Sequence, residues 1–436
     1  MQHTVDSVLD QAGTGSFQRR LLGIFGLVWA ADAMQVLAVG FTGASIAATF
    51  GVSVPEALQT GTLFFLGMLI GASLFGRLAD RFGRRRVLLI TVACDVIFGL
   101  LSVFAPSLWV LFALRFLTGI AVGGTLPVDY AMMAEFLPAK NRGRWLVMLE
   151  GFWAIGTVVV AVAAWMASIY VTSDAWRWIF AVTAVPGILG IWFRFWVPES
   201  PLYLQRRGQE AELRSTLNLV LRTNGKAQLA DGDVIAQSPV VSNGGIFSPD
   251  LRRRTLSILA VWFLVSISYY GIFTWLPARL ADQGFGYVRG YGFLVVVALA
   301  QIPGYALAAW GVEAIGRKPT LIAFLLLSTL GCALFLVAGD AYLTGASILL
   351  MSFALLGTWG ALYAFTPELF PTALRGTGMG AAGSIARLGG LLAPSALAVV
   401  FAQDFSIAIA LFAALLALGA VAAWFVDAET RKVVLS

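Results

Sequence analysis

Gly71–Arg86 reads G-A-S-L-F-G-R-L-A-D-R-F-G-R-R-R: a glycine-spaced apolar run, the carboxylate Asp80, and then Arg81, Arg84, Arg85 and Arg86, with Arg77 just ahead of them. Small residues spaced along a membrane helix let two backbones approach closely. Arginines cannot follow them into hydrocarbon, so Phe82 and Gly83 are predicted to begin a tight turn at the membrane surface, on the side where positive charge collects. Adding 233 to each number repeats the pattern: Gly71 becomes Gly304, Asp80 becomes Glu313, Gly83 becomes Gly316, and Arg84-Arg85 becomes Arg317-Lys318. The same shift carries Glu135, Pro138, Arg142 and Gly143 onto Glu368, Pro371, Arg375 and Gly376, Tyr130 onto Tyr363, and Trp29 onto Trp262. One offset that serves two motifs without a gap predicts two copies of one membrane bundle.

Composition agrees. Of 436 residues, 59% are hydrophobic and 12% charged, against about 25% charged in an ordinary globular domain. That leaves too little polar surface for a water-soluble particle. The formal charge of +6 does not point to nucleic acid, because the basic residues gather in short loops between apolar runs. The two cysteines, Cys94 and Cys332, lie inside apolar runs and make neither a disulfide framework nor a metal site. The one histidine, His3, is in the N-terminal tail, so no buried imidazole can relay protons. Neither a nucleophile–base pair nor a nucleotide loop is present, and no cofactor or enzymatic activity is expected.

Along the chain, apolar spans are predicted near 21–50, 57–76, 87–105, 108–131, 146–169 and 176–196, then near 255–278, 288–312, 319–338, 342–365, 377–401 and 404–426. Each can cross about 30 Å of hydrocarbon as a helix. The expected class is an all-α membrane protein of twelve transmembrane helices in two six-helix bundles, 21–196 and 254–426. A tail (1–20) with no removable signal peptide, a linker (197–253) and a second tail (427–436) complete it. Lysine and arginine fill the loops after spans 2, 4, 8 and 10, whereas the turns around Pro106, Asp340 and Asp404 hold none. Arg177, Arg279 and Arg289, at the ends of outer loops, are exceptions. Both termini and the linker are therefore expected on the cytoplasmic side. The linker reads as a short amphipathic helix, then a flexible Gly-, Asn- and Ser-rich connection.

These motifs resemble those of the major facilitator superfamily. Gly76–Arg85 is similar to its G-x-x-x-D-R-x-G-R-R signature, and Ala309–Lys318 to the weaker second copy. Arg115–Gly119 resembles its R-x-x-x-G element, and Pro198-Glu199-Ser200-Pro201 the P-E-S-P run of sugar and organic-ion porters, with a degraded late counterpart at Asp427–Thr430. The resemblance implies two bundles around a cavity that opens alternately to either side. Asp32-Ala33-Met34 and Gly383–Pro394 look like the niacin, synaptic vesicle 2, organic-ion and aromatic-acid transporter branches. Many of those carry a second acid three residues after the first, where this chain has Gln35.

Charges at membrane depth cost several kcal/mol unless they pair or face water, so each is a candidate. Arg387, about ten residues into its span and flanked by Gly383, Gly389 and Gly390, either clamps an anionic substrate with its planar fork or pairs with an acid on another helix. Asp32 is either a proton carrier or the permanent partner of Arg387 or Arg115. Arg115, where the resemblance offers Asp32 as the acid it tunes, could equally bond backbone carbonyls between helices. Asp129 and Glu150, and with them Asp80, Glu135, Glu313 and Glu368, are placed near the cytoplasmic ends, where Arg81, Arg84, Arg85, Arg142, Arg317 and Arg375 would bridge to them as an inner gate. Asp95 receives no role. Trp29, Gln35, Tyr270, Phe273, Gln301, Trp359 and Tyr363 complete the expected substrate-binding set. An aromatic pocket with one arginine suits a small flat carboxylate.

The expectation is thus a monomeric, multi-pass protein of the lipid bilayer, in the plasma membrane (the inner membrane of a bacterium). It would be a secondary active transporter of a small organic anion, nicotinate or a similar aromatic carboxylate, coupled to protons. A sugar or organic-cation porter is the alternative within the superfamily, and a non-transporting receptor or binding protein the alternative outside it.

Overall fold

A computed structural model describes residues 2–138, 142–230, 233–236, 245–283, 290–396 and 405–430. Helices α1 (Val5–Ala12), α2 (Ser16–Phe50), the single turn α3 (Val54–Ala57), α4 (Gln59–Phe82), α5 (Arg84–Val103), α6 (Leu108–Glu135), α7 (Arg142–Tyr170) and α8 (Ala175–Arg194) form the first half. Helices α9 (Pro201–Arg206) and α10 (Glu210–Thr223) follow, then α11 (Pro249–Gln283), α12 (Tyr291–Leu299), α13 (Gln301–Ala314), α14 (Arg317–Val337), α15 (Ala341–Phe365), α16 (Thr372–Ala396) and α17 (Phe405–Trp424). Eleven stretches among the described residues are long and apolar enough to cross a membrane, with α12 and α13 serving as one. Helix α16, which carries Arg387, is not among them, and the expected span 377–401 is described only to residue 396. The protein is an all-α, integral, multi-pass membrane protein, with two-residue strands β1 (Gln2–His3) and β2 (Val234–Ile235) as its minor exception.

Helices α2 and α15 are the most buried, while α8, α14 and α17 turn most of their apolar surface outward. The first half packs mainly through α4 on α6, α5 on α6 and α8, and α2 on α7 and α8. In the second half α14 packs on α15 and α17, α11 on α16 and α17, and α13 on α15. The halves meet where α4 packs on α16, α2 on α11, and α7 on α12 and α15.

The glycine spacing has a direct steric reason. Gly67 and Gly71 of α4 face Gly119 and Gly123 of α6, and a Cβ at any of the four would run into the opposing backbone at Phe116, Ile120, Phe64 or Met68. Backbones at that distance gain dispersion contacts that hydrophobic burial cannot supply between helices in lipid. Elsewhere a single residue breaks a span: α12 gives way to α13 at Ala300, three residues before Pro303, whose missing N–H cannot bond the carbonyl one turn back. The break sits beside the candidate Gln301.

The tail and linker are more ordered than their polarity implies. Helix α1 buries Val5, Val8, Leu9 and Ala12, and α10 buries Leu213, Thr216, Leu217, Val220 and Leu221, so two amphipathic faces cover each other. Asn224 staples the join: its amide nitrogen donates to Ala12 O (3.2 Å), Gly13 O (3.3 Å) and Gln18 Oε1 (2.8 Å), while its oxygen accepts from Phe17 N (3.0 Å). Gln18 continues to Phe136 O at 3.1 Å, and Asp6 pairs with Arg142 at 3.7 Å. The first half of the linker is therefore a folded cap with the tail, because partners about 200 residues apart satisfy what neither could alone. Burial holds the Arg142 guanidinium below the usual arginine range, with Asp6 and Asp10 opposing it.

Substituting Gly71→Val should separate α4 from α6 and cost about 1–3 kcal/mol by overpacking. Size-exclusion chromatography and a thermal melt in detergent would show loss of monodisperse protein. Gly23→Ala, where an added Cβ meets nothing within 4 Å, should leave both unchanged.

Candidate substrate site

The two surface turns are superposable in their chemistry. Gly83 and Gly316 adopt φ of 101° and 118°, a region that favours glycine. Beyond each, a carboxylate accepts from the first N–H groups of the next helix. Glu199 takes Arg84 N (3.1 Å) and Arg85 N (3.2 Å); Glu429 takes Arg317 N (3.0 Å) and Lys318 N (2.9 Å). An acid at a helix N-terminus both fills orphan donors and opposes the helix dipole. Arg84 pairs with Glu135, and Arg317 grips Glu368 through Nε (2.9 Å) and Nη2 (3.1 Å), reaching Glu313 at 3.2 Å. Ser200 and Thr430 donate their hydroxyls to Glu135 and Glu368. The run Asp427–Thr430, degraded as a motif, thus keeps the glutamate and the hydroxyl that its early counterpart uses, with Thr430 in place of a serine. Of the other gate candidates, Arg85 donates to Phe195 O (2.9 Å), Arg142 to Leu137 O (3.1 Å), and Arg81 lies exposed over the Phe82 ring. The side chains of Asp80 and Arg375 lie outside the described residues.

Arg115 belongs to a different place. It is fully buried, donates to Gln35 Oε1 (2.9 Å) and Thr118 Oγ1 (3.1 Å), and its guanidinium stacks 4.5 Å from the Phe180 ring and 5.6 Å from that of Phe64. Asp95, buried on α5, exerts its charge on Arg115, which gives that acid the role the sequence left open. These contacts all come from first-half helices. Asp32 is buried one turn before Gln35.

Between the halves lies an aromatic cluster. Trp29 meets Tyr130 (6.1 Å between centroids) and Tyr363 (6.3 Å), and Trp262 meets Tyr363 (4.7 Å) and Trp359 (5.3 Å). Tyr130 donates its hydroxyl to Tyr363 O at 3.3 Å. The two residue pairs related by the sequence repeat therefore converge on one spot. Tyr269 extends the cluster to Tyr270, Phe273 and Trp359, and accepts from Trp153 Nε1 at 2.8 Å; Tyr270 packs on Phe65 at 4.6 Å.

Arg387 faces this cluster. It is buried and makes no ion pair among the described residues; Nη1 donates weakly to Gly383 O (3.4 Å) and Nε has no partner. Its charge acts on Tyr270, Tyr363 and Glu150. Glu150, read from position as part of the cytoplasmic gate, stands instead in the central cluster: it is buried, its Oε1 has no hydrogen-bond partner, and it faces Arg387 and Trp29. Depth counted along one helix could not show which neighbours that face would meet. The spacing Glu150, Trp153, Thr157 on one side of α7 was the signal available.

Other buried polar atoms point into the same region without partners: Trp29 Nε1, Trp359 Nε1 and both amide atoms of Gln301. The indole N–H of Trp29 acts on Glu150 from beyond strict hydrogen-bond geometry. Gln301 lines a void of about 10 Å³ with Phe41, Thr157 and Phe273, room for about one water. An organic molecule would need the rings to part.

A family model described as Major Facilitator Superfamily matches residues 23–394. The chain belongs to that superfamily. Its members are transporters, and the fold is not a catalytic one. The chain is 35% identical to the niacin transporter NiaP of Acinetobacter baylyi, over 89% of this chain and 88% of that one. It is 34% identical to the putative niacin/nicotinamide transporter NiaP of Bacillus subtilis, over 95% and 97%. A synaptic vesicle 2-related protein of Xenopus laevis is 30% identical over 98% and 81%. Among solved structures, the proton:xylose symporter XylE superposes with a TM-score of 0.77 at 18% identity, covering 95% of this chain and 97% of XylE, which shows a shared fold.

Removing Arg317 leaves Glu368, whose side chain is only 13% exposed, without its countercharge, a loss of about 3 kcal/mol. Because Arg317, Glu313, Glu368 and Thr430 all belong to the second half, Arg317→Ala should loosen that half, and the thermal melt in detergent should fall by several degrees.

Proposed function

We propose that the protein is a secondary active transporter that moves a small aromatic carboxylate, with nicotinate as the type substrate, by alternating access between two six-helix bundles. In this reading residues 377–401 form the eleventh of twelve spans, both termini are cytoplasmic, and the monomer is the working unit. The observation that carries it is Arg387: a buried guanidinium with no ion pair, opening onto stacked aromatic rings. A bidentate carboxylate satisfies its fork, and Tyr270, Phe273, Trp359 and Tyr363 offer faces and edges to a flat ring. Gln301 and the indole N–H of Trp359 supply unfilled polar positions for ring substituents. Arg84–Glu135 and Arg317–Glu368 each brace one half beside the proposed cytoplasmic opening. The niacin-transporter relatives support the cargo assigned here.

One observation favours a second reading. Glu150, with an unpartnered oxygen among aromatic rings, is also a site for an organic cation.

In proteoliposomes, Arg387→Ala should reduce uptake of labelled nicotinate by at least 100-fold while the thermal melt stays within a few degrees of wild type. Undiminished uptake would remove the anion assignment, and stabilisation by amines but not acids in a thermal-shift screen would favour the cation reading.

A further inference from the structure

Glu150 is a carboxylate that neither gate uses. The groups directed at it come from every side. Trp29 reaches it from α2, Tyr130 from α6, Tyr269 and Tyr270 from α11, Tyr305 from α13, Tyr363 from α15 and Arg387 from α16. Helices α8 and α12, which also pack on α7, direct no titratable group at it among the described residues. Arg387 is thus the one cation acting on it among those residues, and the two do not touch as an ion pair. Asp32, three residues beyond Trp29 on α2, and Asp129, beside Tyr130 on α6, are the other acids buried on adjoining helices, and both have partners of their own.

We propose that Glu150 takes up the coupling proton, and that the substrate carboxylate drives this by displacing it as the countercharge of Arg387. The inference rests on the reading of Arg387 as the carboxylate clamp. With the site empty, one guanidinium and one carboxylate balance. When a substrate carboxylate occupies the guanidinium fork, Glu150 becomes an uncompensated negative charge in an apolar, water-poor site. Such a charge is removed by protonation. A proton from the aqueous side that the site then faces adds to the Glu150 carboxylate, whose Oε1 has no partner. Loaded with both, the site regains neutrality and can cross the occluded state at the least electrostatic cost. On the far side the substrate leaves, Arg387 becomes available again, Glu150 ionises and the proton follows. Substrate and proton therefore move together, one for one, with no further ion. The carrier differs from the acid on α2 that the sequence favoured.

The test measures nicotinate affinity by tryptophan fluorescence and proton uptake by an indicator dye in weak buffer, on purified protein in detergent. Wild type should take up about one proton per nicotinate. Its Kd should rise about tenfold per pH unit above the titration of Glu150, the slope for one linked proton. Glu150→Gln should bind with no uptake and a flat Kd from about pH 6 to pH 8, since its amide mimics the protonated acid. Asp32→Asn should keep both the uptake and the slope. Uptake that persists in Glu150→Gln, or is lost in Asp32→Asn, overturns the inference and leaves the anion site standing. Wild type that binds no aromatic carboxylate overturns the reading of Arg387 and the inference with it. Should Glu150→Gln not fold, wild type and Asp32→Asn decide: uptake in both supports Glu150, and uptake in neither overturns it.

Discussion

Charge in a place without water is the constraint on which the rest of this structure depends. A guanidinium or carboxylate at membrane depth must be met by a partner, by hydrogen bonds or by a proton, and the chain uses each of these in a different region. Arg317 is satisfied by Glu368, Glu313 and a backbone carbonyl. Arg115 is satisfied by Gln35, Thr118 and two rings. Arg387 is the exception, held over an aromatic cluster with a weak bond to Gly383 O at 3.4 Å and no ion pair among the described residues. Saturated groups hold a conformation together; an unsaturated one creates a place for a ligand.

The two arginine turns follow the same logic. Each combines a left-handed glycine, an acid on the next helix's N-terminus, an arginine–glutamate pair and a hydroxyl that holds the glutamate. These links tie helices together within each half, Arg84, Glu135, Glu199 and Ser200 in the first and Arg317, Glu368, Glu429 and Thr430 in the second, so each set braces its own half. Toward the opposite face, Tyr291 donates to Phe41 O at 3.3 Å, and Gly40 lets α2 approach the α11 backbone at Phe273 and Thr274. The interior voids of about 10 Å³ fit a molecule closed around its central rings.

The cap made by α1 and α10 lies against the first gate, since Gln18 bonds the carbonyl of Phe136 and Asp6 meets Arg142. Tail and linker are thereby mechanically joined to the loop between α6 and α7. Their polar sequences hid this, because each presents only one narrow apolar stripe whose partner is distant in the chain.

Local chemistry and internal repetition made much of this legible in advance. The apolar spans, the arginine turns and the equivalence of Glu135 with Glu368 follow from composition and one offset, and the likeness to a transporter superfamily from the motifs at Gly76–Arg85, Arg115–Gly119 and Pro198–Pro201. These features depend on residues near one another in sequence or on a repeat that can be counted. Sequence also marked Arg387, because a charge amid glycines in an apolar run is costly wherever its helix packs. What sequence could not decide is which faces meet. That Glu150 stands with Arg387 rather than in the gate, that Asp95 serves Arg115, and that Glu429 and Thr430 preserve a motif whose letters have drifted depend on helix rotation and on contacts between distant segments. Those are set by close packing of whole helices against each other, a property of the assembled bundle that no single stretch of chain contains.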